Sequence, residues 1–280
     1  MRLLRLTDYL RHIQSDNLTQ IIEGNYNTLL DVEQSAQSEM ISYLAQRYST
    51  NKIFTDTSVF STGTTYYGKN LIEYTAPDYV SSTTYSINDR AVYGGIIYIS
   101  TSGSTGILPS TGTTSWSAIT TDKSLYYAKL PAPEYVHTTS YSTGSIIWYE
   151  DKTYQALQTN KGILPDSDTN RWSASTTYSF IDVFPEDTTY WIKGDNRNQQ
   201  IVMYLIDCVL YHLHSRINPR NIPELRAIRY DGANSFQSGG VIGWLKKVGS
   251  DDVTADLPKI IPQQGISIRW GSNTRNTNTY

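Results

Sequence analysis

The sequence predicts an α+β protein: a discontinuous helical domain with a pair of small antiparallel β modules inserted between its halves. Three observations predict it. Residues 1 to about 50, and the stretch from about Asp195 onward, carry apolar residues three and four apart, the spacing of helices. Residues 76–174 repeat themselves with a period of 56 and no gap: APDYVSSTTYS matches APEYVHTTSYS, GILP at 106–109 matches GILP at 162–165, and WSA at 116–118 matches WSA at 172–174. Composition agrees, because 23 Tyr and only 18% charged residues suit short strands rich in Tyr, Thr, Ser and Gly better than a wholly helical chain.

At the front, short helices are expected around Thr7 to Ile13 and Asn17 to Glu23, with Gly24 as the stop. Asn27 then caps a long helix over 28–48, where Leu29, Val32, Ala36, Met40, Tyr43, Leu44 and Tyr48 form one apolar stripe. Each repeat unit, 76–118 and 132–174, holds alternating stretches such as AVYGGIIYIS and SIIWYEDKTYQAL. Turn residues break them, Gly94-Gly95 in one and Glu150-Asp151-Lys152 in the other. That is a small hairpin module used twice. The helical domain is assigned 1–70 together with 186–280.

In its second half, Asp195 or Asn196 is the expected cap of a helix whose core, IVMYLIDCVLYHLHSRI (201–217), is apolar over most of its circumference. Such a helix is buried between neighbours, and it ends before Pro219. Pro223 opens a further helix toward Gly239-Gly240, with a continuation over 241–248. A strand from Gly265 to Trp270 and a polar tail complete the pattern.

Several function classes are disfavoured. A net charge of -3 and a pI near 5.8 lack the basic footprint of a general nucleic-acid binder. Cys208 is the single cysteine, so no intrachain disulfide forms and a reducing compartment is suitable. Arg2, Arg5, Asp8, Arg11 and His12 interrupt the first apolar stretch, so no export signal is expected, and no apolar run is long enough for a membrane span. Nucleophile-elbow, zincin, Walker and Rossmann patterns are missing, so neither an enzyme nor a cofactor is expected. Cys208 and His212 lie four apart on one helical face, a spacing that suits a metal. His214, however, points about 200° away from His212, so core packing without a metal is expected.

The segments VEQSAQSEMISYLAQRY (32–48), IVMYLIDCVLYHLHSRI (201–217) and NIPELRAIRYDGANSFQ (221–237) together resemble the head-tail connector, or neck, family of tailed bacteriophages. Pro223, Arg229, Tyr230, Asp231 and Ala233 stand where that family has a proline, an Arg-Tyr-Asp run and a small residue. The likeness covers under half the chain, and the insertion at 51–194 departs from compact members. It implies a homo-oligomeric ring, twelve-fold in the family, that contacts the portal protein and tail or other neck proteins. It further implies assembly of a virion in the host cytoplasm, with DNA in the channel as a candidate contact and no membrane involved. A helix as apolar as 201–217 fits packing into such a ring.

Two sets of candidate residues follow. Arg216, Arg220, Arg226 and Arg229, joined by Arg269 and Arg275, form basic positions for portal, DNA or subunit contacts; a solvated face is the plainer alternative. The repeats are similar to small chitin- or cellulose-binding modules, which makes Tyr93, Trp116, Trp148, Tyr149 and Trp172 candidate glycan contacts. Against that, Tyr85, Tyr98 and Trp116 recur as Tyr141, Tyr154 and Trp172, as a mini-core requires. Trp148, opposite Val92, is not repeated and is the better sugar platform. A carbohydrate-binding protein is therefore the rival reading, and a glycan-cleaving tail component a weaker one.

Overall fold

A computed structural model of the chain describes residues 2–217, 220, 222–232 and 239–260. Helices and several small, mainly antiparallel sheets give the α+β class expected. One compact unit runs to Pro131 and resumes from Tyr178 to Ile260; the other is Ala132–Thr177. The strand expected at 265–270 lies outside the described residues.

The helical body comprises α1 (Leu6–Tyr9), α2 (Ser15–Ile21), α3 (Tyr26–Leu44), α4 (Thr50–Ile53), α5 (Gln199–Ile217), α6 (Glu224–Asp231) and α7 (Gly240–Ser250). Asn25, two residues before the expected cap, starts α3: its Oδ1 accepts the Asn27 amide at 3.0 Å. The predicted stripe of Leu29, Val32, Ala36, Met40 and Leu44 is buried, and α3 packs on α5. Asn198, not Asp195 or Asn196, caps α5, its Oδ1 accepting the amides of Gln200 and Ile201 at 3.0 and 3.1 Å.

Asp195 is engaged elsewhere. Arg197, 5% exposed, binds Asp195 at 2.7 Å, Asp8 at 2.7 Å and the Leu3 carbonyl at 2.8 Å, which ties the second half of the chain to the first. The apolar circumference of α5 is also satisfied within the chain. Val202, Leu205, Ile206, Cys208, Val209, Leu210 and Leu213 share one core cluster with residues of α2, α3, α4 and α7. The apolarity of 201–217 therefore needs no neighbouring subunit, contrary to the expectation.

The expected division at residues 70 and 186 does not hold either. Strands Leu71–Tyr74, Ser124–Ala128 and Trp191–Lys193 form an antiparallel sheet, with Thr57–Val59 parallel at its edge, and Thr65–Tyr67 pairs with Ser179–Ile181. This arrangement is a third copy of the repeat module. The first continuous copy uses Arg90–Tyr93, Ile96–Ser100 and Trp116–Thr121 with the pair Thr84–Tyr85 and Ser104–Thr105. The second uses Ile146–Tyr149, Lys152–Ala156 and Trp172–Thr177 with Ser140–Tyr141 and Asn160–Lys161.

Register and side-chain geometry coincide in all three. Trp191, Trp116 and Trp172 stand opposite Ala128, Ser100 and Ala156. Their indole N–H groups donate to the carbonyls of Val183, Ile107 and Ile163 at 2.9, 3.0 and 3.1 Å. The hydroxyls of Tyr66, Tyr85 and Tyr141 accept the amides of Ser61, Val80 and Val136 at 2.8, 2.8 and 2.7 Å. Phe60, Tyr79 and Tyr135 stack on those tyrosines at 5.7, 5.5 and 5.5 Å. A left-handed turn is required at one shared position, filled by Gly106 (φ 73°), Gly162 (φ 71°) and Asp182 (φ 57°).

The split copy is thus a host. The first inserted module leaves it between Tyr74 and Ser124, where the inserted copies have the tight turns Gly94-Gly95 and Glu150-Asp151; the second leaves it between Ala128 and Ser179. The sequence carried a trace of this, since FSTGTTY (60–66) aligns with YVSSTTY (79–85) and YVHTTSY (135–141). Inside its unit the host is fastened on two sides. Arg5 of the helical body bonds Glu73 at 2.5 Å and the Lys123 carbonyl at 2.6 Å, while Val92 and Ile97 of the first inserted module enter the host's core cluster.

Candidate functional site

The amphipathic helix α6 leaves apolar side chains in water. Arg226, 13% exposed, turns inward onto Asp207 of α5 and Arg229, 42% exposed, reaches the same carboxylate from the rim, while Leu225 and Ile228 are 58% and 42% exposed, and no residue of α6 is buried. Asp207 Oδ1 lies 3.4 Å from Arg229 Nη1, 3.9 Å from Arg226 Nη1 and 3.9 Å from His12 Nδ1. Arg226 Nη2 donates to the His12 carbonyl at 3.3 Å, whereas its Nη1 is buried without a hydrogen bond.

Burial lowers the pKa of Arg226 against the pull of Asp207. Burial also lowers that of His12, assisted by Arg229 and Arg226, and burial with Arg226 lowers that of His214. Two guanidinium groups thus approach one buried carboxylate, Asp207. At the far end of α6, Tyr230 stacks on Tyr211 at 3.9 Å and donates to Glu39 at 2.6 Å; Glu39 also meets His212 Nε2 at 2.8 Å.

The basic run read from sequence is therefore divided. Arg216 and Arg220 are exposed, Arg226 faces the helical body, Arg229 is exposed but paired with Asp207, and Arg269 and Arg275 lie outside the described residues. Cys208 is fully buried, and burial pushes its thiol pKa far up. Among the described residues, no group of three His, Cys, Asp or Glu is placed to hold a metal ion, and no helix is long and apolar enough to cross a membrane.

Of the five aromatic candidates, three are corrected. Trp116 and Trp172 are 3% and 2% exposed, with their N–H groups bonded inside their own modules, so they are core residues. Trp148 is 5% exposed, which removes the flat platform a sugar ring needs; strand alternation puts Ile147 in the module core and Trp148 on the opposite face. Tyr93 and Tyr149 remain half-exposed, each edge-on to a partner ring, Tyr79 at 5.8 Å and Tyr135 at 5.7 Å. Burial, with the charges of Asp166 and Glu150, pushes the Tyr149 phenol up to about 12.

One feature had no sequence signal. A cavity of about 460 Å³ lies between α3 and the N-terminal segment, lined by Arg2, Leu4, Leu30, Glu33 and Gln37 among others. Its carboxylate, Glu33, is held by Arg2 at 3.0 Å and by the Tyr9 hydroxyl at 2.9 Å. The wall residues come from separate segments, which no local pattern brings together. Compared with known protein families and with curated protein sequences, the chain matches none.

Proposed function

We propose that the chain is a structural virion protein whose helical body forms an oligomeric head-to-tail connector ring between portal and tail, with the β modules carried outward. The observation that carries this reading is the exposed apolar edge of α6. A helix that spends its cations on Asp207 and leaves Leu225 and Ile228 in water is completed by a second surface. It occupies the segment where the connector resemblance has its Pro and Arg-Tyr-Asp residues. Covering each of those side chains is worth about 1.5–3 kcal/mol if burial is complete. Exposed Arg216 and Arg220 lie just before α6 in sequence and suit portal carboxylates or channel DNA. An inserted β region must avoid the packed ring contacts, hence its outward position.

Native mass spectrometry and electron microscopy of the protein with its portal test this. A ring of uniform stoichiometry located at the neck is expected. Leu225→Asp combined with Ile228→Asp should leave the helical circular dichroism intact and yield monomers. A strict monomer with portal present, or absence from assembled necks, overturns the reading.

The rival, glycan recognition, is favoured by the half-exposed Tyr93 and Tyr149 at equivalent module positions. Glycan-array binding lost in Tyr93→Ala and Tyr149→Ala, together with failure to join the portal, would put it first.

A further inference from the structure

A ring needs two different faces on each subunit, because a head-to-tail contact joins unlike surfaces. The helix pair α3 and α5 carries two such faces. On one flank sits α6, held to Asp207 of α5 through Arg226 and Arg229 and to Glu39 of α3 through the Tyr230 hydroxyl. On the other opens the cavity of about 460 Å³, whose wall includes Leu205 of α5 and Gln37 of α3.

Helix geometry places the two on opposite flanks. Leu205 and Asp207 are two residues apart on α5, as Gln37 and Glu39 are on α3. Two residues turn about 200° around a helix. Both helices therefore aim one residue at α6 and the other at the cavity. Within one chain the helix pair separates the apolar edge of α6 from that cavity.

The two surfaces match in kind. Leu225 and Ile228 project from α6 about one turn apart, both exposed. Half-buried Leu30 lines the cavity together with buried Leu3, Leu4 and Leu205. A cavity of roughly 150 Å³ lined by apolar side chains already admits benzene, so both aliphatic side chains have room. No stranded charge opposes them, since Glu33 is paired with Arg2 at 3.0 Å and accepts the Tyr9 hydroxyl at 2.9 Å. Beside the apolar edge Glu224 is exposed, and Arg2, partly exposed in the cavity wall, is a cation for it to meet.

We propose that the occupant of this cavity is α6 of a second copy of this chain, with Leu225 and Ile228 inserted and Glu224 brought to Arg2. The proposal rests on the ring reading and names the contact that builds the ring. Each copy offers one α6 edge on one flank and one cavity on the other, so every contact leaves a free edge and a free cavity until the ring closes.

The test is disulfide trapping in the full chain assembled with its portal. Ile228→Cys and Gln37→Cys are placed in one chain, where Cys208 is fully buried and stays out of reach. Oxidation should give a ladder of covalent multimers on a non-reducing gel, and the ladder should be lost in either single variant. Uniform rings by native mass spectrometry without a ladder overturn this contact and leave the ring reading standing. So do covalent dimers of the Ile228→Cys single variant, which would mean that two α6 edges meet. A strict monomer overturns both. Complementation is the second measurement: Leu225→Asp with Ile228→Asp removes the edge, and Gln37→Trp fills the cavity. Each chain alone should stay monomeric, while their mixture should form dimers that grow no further; a mixture without dimers overturns the contact. The cross-link keeps the proposal open to failure even where Gln37→Trp does not fold.

Discussion

The host module and the second inserted module share one scaffold but differ in how the chain supplies it. The second module closes on a continuous stretch, Ala132–Thr177, and has its own aromatic core of Tyr135, Tyr141, Ile147, Tyr154 and Trp172. The host assembles the same positions from 57–74, 124–128 and 179–193, and its core takes in Val92 and Ile97 from the module it carries. One scaffold can therefore be a self-contained bead or a junction. As a junction it trades its hairpin turn for an entire module and fastens its back to the helices through Arg5 and Glu73.

The sharpest way to break that comparison is to remove the same tryptophan from each copy. Trp191→Ala and Trp172→Ala should each cost about 3–5 kcal/mol locally, the usual range for a buried Trp. Hydrogen exchange should separate them. Trp191→Ala should lose protection across 57–128 and 179–193, whereas Trp172→Ala should lose it only within 132–177. Equal spread of the two effects would contradict the bead and junction roles.

Excision comes next in expected size. Removing 76–121 strips Val92 and Ile97 from the host core, about 1.5–3 kcal/mol for each buried side chain, so the melting temperature of the remainder should fall. Removing 132–177 should leave the helical melting transition where it was. Tyr66→Phe and Tyr141→Phe sharpen the likeness instead. Each loses the hydrogen bond to an amide five residues earlier, and each should be destabilised by about 1 kcal/mol when measured by urea unfolding.

The smallest effect is a pH dependence at Asp195, just after the last strand of the host and before α5. Despite the opposing effect of burial, hydrogen bonds from Arg197 hold the Asp195 carboxyl below its ordinary value. A depressed folded pKa gives stability that is present above the ordinary carboxylate value, near 4, and is lost as pH falls through the lower folded value. Urea unfolding between pH 6 and 3 should show this loss in unaltered protein, and Asp195→Asn should flatten it.

Legibility in the sequence followed distance along the chain. The stripe of α3 and the apolar run of α5 were visible because helical periodicity is local, and the two inserted modules because their identity is gapless. The host copy was not visible, since two whole modules interrupt it and only short traces such as FSTGTTY remain. For the same reason Arg226 and Arg229 read as a basic run. Their direction was set by Asp207, a buried carboxylate on α5 that attracts them across a helix packing.

By itself the sequence determined the helices, the repeat and the aromatic identity of the module cores, because hydrophobic period and turn chemistry act over a few residues. Tertiary structure alone decided that α5 is satisfied within the chain, that Trp148 is buried, that α6 turns its apolar edge to water, and that the module occurs three times. Each of those depends on burial and charge pairing between segments far apart in sequence, and no local pattern encodes which distant partner will be met.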